Sequence, residues 1–135
     1  MAIARRSLPP GSTTTLRGVP QSVSTARCRV RRFLGAGHPA SDEVVLLVSE
    51  VVTNSVVHST SCDGGEVAMT VAAGPGTVVV EVSDAGSGAS APHVRNDPEA
   101  ENGRGMFLVD LLASRWGIKD DGRGGRRTVW FEIDF

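Results

Sequence analysis

Residues 49–59 read SEVVTNSVVHS, with Glu50 and Asn54 four places apart among valines. On a helix this spacing puts both side chains on one face. A carboxylate there can take a proton from a hydroxyl or a water. A carboxamide oxygen can ligate a hard cation such as Mg²⁺, which prefers oxygen donors and keeps several waters. The pair stands on the shoulder of an apolar stripe, where polar groups without partners cost a few kcal/mol. Either the pair is a solvated helix edge, or it forms one wall of a ligand site.

Two further stretches carry possible chemistry. In VEVSDAGSG (80–88), Asp84 shares a strand face with Val78, Val80 and Val82 by period two. It therefore ends the strand on the face those valines bury, and a carboxylate there needs donors. The exocyclic amine of adenine is one such donor. Gly86 and Gly88 would let the backbone approach a flat ligand closely. The simpler reading is a turn after a strand. In NGRGMFLV (102–109), Gly103 and Gly105 lead into a helix N-terminus. Its free N–H groups can hold a phosphate, and Arg104 can add charge. The simpler reading is a glycine-containing helix entry.

Other phosphate and metal chemistries are excluded. There is no GxxxxGK[ST] loop and no HRD or DFG. Lys119 is the one lysine among 14 basic residues, so no lysine-dependent variant of those schemes remains. No HExxH or Cys/His cluster suggests zinc. His38, His58 and His93 are scattered, and Cys28 and Cys62 form no CxxC pair.

The elements that must position these residues follow from periodicity. Residues 13–18 read as a short strand. Pro20 opens a helix to about Leu34, with Gly35 as its stop. Val23, Ala26, Val30, Phe33 and Leu34 form its apolar face. Arg27, Arg29, Arg31 and Arg32 occupy the rest, as a solvated basic face or a docking surface for an acidic partner. A second helix begins at 39–42 with Ser41 as N-cap and Asp42 and Glu43 at its positive end. Val44, Leu47, Val48, Val51, Val52 and Ser55 are its buried stripe, running to His58. Residues 66–72 and 77–83 alternate as strands around a Gly74-Pro75-Gly76 hairpin turn. Residues 85–104 read as a long loop, a feature usually functional or disordered in small domains. A third helix is expected at about 105–114, with Met106, Val109, Leu112 and Ala113 on one face. A strand at 115–119, a turn at 121–125 and a closing strand at 127–135 complete the chain.

Composition sets the limits. The 135 residues suffice for one domain with a core. Apolar residues make up 40% and charged residues 21%, and the net charge of −1 gives no case for nucleic acid or an anionic membrane. No apolar run is long enough to span a bilayer, and no secretory leader is recognisable, so a cytoplasmic protein is expected. Residues 1–12 read as a flexible tail and 13–135 as a single α+β two-layer sandwich, its sheet mostly antiparallel.

The ordered set ExxxN on a helix, DxGxG after a strand and GRG before a helix resembles the nucleotide site of the GHKL ATPase superfamily. Histidine kinases, gyrase-type ATPases and Hsp90 chaperones share it. More narrowly, LLVSEVVTNSVVHS, VEVSDAGSG, GRGMFLVDLLASRWG and GRRTVWFEI are similar to the anti-sigma factor serine/threonine kinases, over about residues 14–135. The resemblance implies the Bergerat, histidine-kinase-like ATPase fold: a mixed, mostly antiparallel sheet with three main helices on one face, and ATP under a lid. It makes Glu50 the general base, Asn54 the Mg²⁺ ligand and Asp84 the adenine reader, with Gly86 and Gly88 beside the base. Gly103, Arg104 and Gly105 would wrap the phosphates. Thr128 would help hold adenine, which requires Thr128 and Trp130, rather than Val129, Phe131 and Ile133, to line the sheet's inner face.

The resemblance also implies a function. The protein would transfer the γ-phosphoryl of ATP to a serine or threonine of an anti-anti-sigma (STAS) partner. Otherwise it would sequester a sigma factor, and it could form a homodimer. Arg27 and Arg31 are the candidate partner-binding residues. The competing reading is a non-catalytic ATP-binding, or nucleotide-independent, partner-switching module. Intact Glu50 and Asn54 favour the kinase, because a module that only binds could lose Glu50. A two-component histidine kinase fragment fits less well, since too few residues precede the first helix to hold a dimerisation segment with a phosphorylatable histidine.

Overall fold

Strand alternation and one valine-rich helix build the domain. The computed structural model of the protein describes residues 11–58, 65–84, 101–120 and 127–135, with the backbone alone at 58, 101–106 and 120. The elements are β1 (Ser12–Arg17), α1 (Gln21–Leu34), α2 (Ser41–His58), β2 (Glu66–Gly74), β3 (Thr77–Asp84), α3 (Glu101–Leu112), β4 (Arg115–Asp120) and β5 (Arg127–Asp134). The strands form one sheet in the order β1-β2-β3-β5-β4. Every neighbouring pair is antiparallel, so the expected admixture of parallel strands is absent from the described sheet. Ser12, assigned to the tail on sequence, already pairs with Val71.

Helix ends follow local chemistry. Pro20 sits at the N-cap of α1 with φ −57°, where its missing N–H costs nothing. Gly35 ends α1 at φ 90° and donates its N–H to the Arg31 carbonyl at 2.9 Å. The start of α2 differs from expectation. The Ala40 carbonyl accepts the first helical bond, from Val44 N–H at 2.9 Å, which makes Ala40 the cap and Ser41 the first helical residue. The His38 imidazole takes the polar role instead, its Nδ1 accepting from Ala40 N–H at 3.0 Å. Helix α3 starts four residues before its expected position. Glu101 suits the positive end of a helix, so the helix need not wait for the glycines to pass.

Valine is a weak helix former because its branched Cβ restricts rotamers in the helix. Helix α2 forms because tertiary burial outweighs that preference. Val44, Leu47, Val48, Val51 and Val52 are all buried, as the 3.6-residue period requires. They pack with Ala26 and Val30 of α1 and Val109 of α3 against one sheet face. Phe33, assigned to the buried face of α1, is instead exposed, and Ser22 is buried there. Leu112 and Ala113 are half-buried against the core.

The inner sheet face is an apolar lattice. Val71, Val80 and Phe131 lie in one cross-strand row, and Met69, Val82 and Val129 in the next. The outer face carries cross-strand polar pairs, as a one-sided antiparallel sheet allows. Thr13 Oγ1 and Thr70 Oγ1 are 3.0 Å apart, and Ser83 Oγ and Thr128 Oγ1 are 2.7 Å apart. Arg115 Nε bonds the buried Glu132, and its Nη2 donates to both carboxylate oxygens of Asp134 at 2.8 and 3.0 Å. The bond to Glu132, then those to Asp134, push the Arg115 pKa up, so this guanidinium stays charged at any assay pH. Pro75 and Gly76, the latter at φ 81°, turn β2 into β3.

Two stability predictions follow. Phe131→Ala should cost about 3–5 kcal/mol in chemical denaturation, because it empties the middle of the sheet's inner face. Arg115→Ala should cost about 2 kcal/mol by the same measurement, because it strands the Glu132 carboxylate; Arg115→Lys should recover part of that loss.

Candidate functional site

Strand β3 delivers a carboxylate to the inner face. The alternation that buries Val78, Val80 and Val82 carries Asp84 with them, and Asp84 is only 1% exposed. Arg127 of β5 lies directly across from it in register. The Arg127 Nη2 is 3.8 Å from Asp84 Oδ2. That is an ion-pair distance, too long for a hydrogen bond.

Helix α2 supplies the second group. Asn54 is 8% exposed, whereas Glu50, one turn earlier, is half-buried. Buried polar groups need partners, and Asn54 and Asp84 each hold an interaction within the chain. The orientation of α2 is marked by Ser49. Its hydroxyl donates to the Val45 carbonyl at 2.9 Å and receives Arg27 Nη1 of α1 at 3.3 Å. Ser49 and Asn54 are separated by roughly 140° around the helix. Asn54 therefore lies on the flank turned away from α1, and Glu50, about 100° from Ser49, stands between that flank and the solvent side. Helix α3 also packs on α2, and α2 packs on β3.

Gly103, Arg104 and Gly105 fall inside α3, in its first five residues, rather than in a lead-in. Gly103 and Arg104 fall among the first four N–H groups of the helix, which have no partner within it, whereas Gly105, the fifth, lies beyond them. Gly86 and Gly88 lie outside the described residues, as do the side chain of His58, the whole of His93, Cys62 and the expected turn at 121–125.

Thr128 requires a correction. Val129, Phe131 and Ile133 line the inner face, so Thr128 points to the outer face, where it pairs with Ser83. Asp84 and Thr128 thus stand on opposite sides of the sheet. The β5 residue on Asp84's side is Arg127, which the motif comparison passed over. The signal was present: in RRTVWFEI the alternation that turns Thr128 outward turns Arg127 inward.

The basic residues of α1 divide in two. Arg27 is half-buried and tied to Ser49, while Arg31 is exposed and 4.0 Å from the exposed Asp42. Arg29 and Arg32 are exposed. Among the described residues no three of His, Cys, Asp and Glu group to hold a metal, and no helix is long and apolar enough to cross a membrane.

A two-layer α+β sandwich with a five-stranded antiparallel sheet, three helices and an inward carboxylate ending β3 has the architecture of a GHKL-type ATPase domain. Residues 16–133 match the histidine kinase-like ATPase domain, and the chain belongs to that family. It is an ATP-binding, kinase-like ATPase domain.

The two sheet faces give a paired prediction for titration calorimetry with a non-hydrolysable ATP analogue. Asp84→Asn should weaken binding at least about tenfold, since it replaces a charged two-oxygen acceptor by one neutral amide oxygen and sets an NH₂ donor beside the base amine. Thr128→Val, on the outer face, should leave affinity within about twofold. Equal losses would mean that Asp84 acts only through the fold.

Proposed function

We propose that the protein is an Mg²⁺- and ATP-dependent serine/threonine-protein kinase of the anti-sigma factor type. Its substrate would be a hydroxyl of an anti-anti-sigma (STAS) partner, and its output would be control of transcription through a sequestered sigma factor. The observation that carries the reading is the difference between Glu50 and Asn54. The carboxamide is buried on the flank of α2 away from α1, while the carboxylate one turn earlier stays partly open to an incoming group. A residue held for binding and a residue reachable by substrate are what phosphoryl transfer needs side by side.

In this reading Asp84 accepts a hydrogen bond from the adenine amine. Asn54 presents its amide oxygen to Mg²⁺, a donor type the ion favours. Bound Mg²⁺ would neutralise charge that develops on the phosphates. The start of α3 would offer N–H donors to the phosphates at Gly103 and Arg104, with Gly105 next to them keeping the backbone clear for close approach. Gly86 and Gly88 would flank the base. Glu50 takes the proton from the attacking hydroxyl. Little covalent chemistry is asked of the protein, so positioning and electrostatics carry the rate. Arg31, and Arg27 beside it, would meet an acidic surface of the partner.

The deciding experiment is calorimetric titration with an ATP analogue, with and without Mg²⁺. Binding that tightens with Mg²⁺ supports the reading. No binding at millimolar nucleotide sinks the kinase and leaves a nucleotide-independent partner-switching module. Glu50→Ala should keep analogue binding and lower transfer to a STAS-domain protein by about 10²–10⁴-fold, read by radiolabel incorporation. Retained transfer would remove Glu50 as the base. Replacing Arg27 and Arg31 by alanine should weaken partner binding and spare nucleotide binding; unchanged affinity for both STAS protein and sigma factor would leave that face merely solvated.

A further inference from the structure

The geometry points to Arg127 as the residue that reads the acceptor edge of the purine ring beside Asp84. The inference rests on the nucleotide reading of the site and adds a base contact that the motif order does not contain. Three observations carry it. First, Arg127 stands across from Asp84 on the inner face, with Asp120 at the matching register position on its other side. Second, its guanidinium is placed but not consumed. Nη2 lies 3.8 Å from Asp84 Oδ2, and Nε is buried with no hydrogen-bond partner among the described residues. A buried N–H donor without an acceptor is unfavourable, and a shift of the side chain that turns its guanidinium to a ligand acceptor would remove that cost. Third, β5 brings no hydroxyl to this side, because Thr128 is paired with Ser83 on the other face.

The chemistry matches adenine. Its N6 amine donates, and the ring nitrogens on either side of that amine, N1 and N7, accept. A carboxylate acceptor beside a guanidinium donor complements either donor–acceptor edge. Asp84 accepts a hydrogen bond from the amine, and Arg127 donates to the neighbouring ring nitrogen. The planar guanidinium, carried by β5, suits in-plane contact better than a flexible ammonium. A side chain 27% exposed at the end of the strand can reach a ring that enters from the rim.

Calorimetry on the full chain tests this with three non-hydrolysable probes: the ATP analogue and its 1-deaza and 7-deaza counterparts. Wild-type protein should bind one deaza probe about tenfold more weakly than the ATP analogue, the loss expected for one charge-assisted hydrogen bond. Arg127→Ala should bind the ATP analogue about tenfold more weakly, with no further loss on that same deaza probe. Equal losses on all three probes would reduce Arg127 to a structural role. Unchanged or tighter binding by Arg127→Ala would also overturn the inference, the latter by making Arg127 a competitor for Asp84. If Arg127→Ala does not fold, the wild-type comparison decides alone, and equal affinity for all three probes refutes the contact. Wild-type protein that binds no ATP analogue would instead overturn the nucleotide reading, and this inference with it.

Discussion

The contact on which the molecule depends is the seating of α2 on the inner face of β3. Val78, Val80 and Val82 present one row of branched side chains, and Val44, Leu47, Val48, Val51 and Val52 present another. Neither row is stable alone. A valine-rich helix is disfavoured in water, and a sheet with one apolar face needs a cover. Together they exclude water from both, at roughly 1.5–3 kcal/mol per fully buried aliphatic side chain. The same seating decides where the polar residues at its border go. A one-residue slip of β3 would turn Asp84 outward, and the valines with it.

Buried polarity is therefore placed at the margin of the core. Asp84 ends the valine row of β3, and Asn54 stands on the shoulder of the valine stripe of α2. Each lies where packing is tight enough to hold its side chain. Groups ordered in this way lose little entropy when a ligand arrives. Glu50, one turn from Asn54, is left half-open. Rigidity and access are divided between two residues of a single helix face.

The outer face solves a different problem. Among the described residues no helix covers it, and cross-strand pairs join its strands: Thr13 with Thr70, Ser83 with Thr128, and Arg115 with Glu132 and Asp134. Gly117 lets the Trp130 indole lie flat there. A Cβ at that position would come within 2.8 Å of the indole nitrogen. On the inner side, the other tryptophan, Trp116, ties β4 to α3 by donating to Asp110 Oδ1 at 2.9 Å. The edge strand is thus fastened on both faces, which keeps β5, and Arg127 with it, in register with β3.

The sequence by itself determined the eight elements, the apolar stripes of α2 and β3, and the inward placement of Asp84, because each depends on a period of 3.6 or 2 that local reading resolves. It also carried the motif order that identified the family. Tertiary structure decided what lies next to what. The capping of α2 passed from Ser41 to His38 and Ala40, because the α1–α2 loop brings an imidazole to that end. Phe33 came to be exposed, since the side of α1 that packs inward runs along Ser22, Ala26 and Val30. Thr128 and Arg127 exchanged places as candidates for Asp84's neighbour. Alternation along β5 was readable, but which of its faces meets the helices was settled only when β5 paired with β3 and buried Phe131 against them.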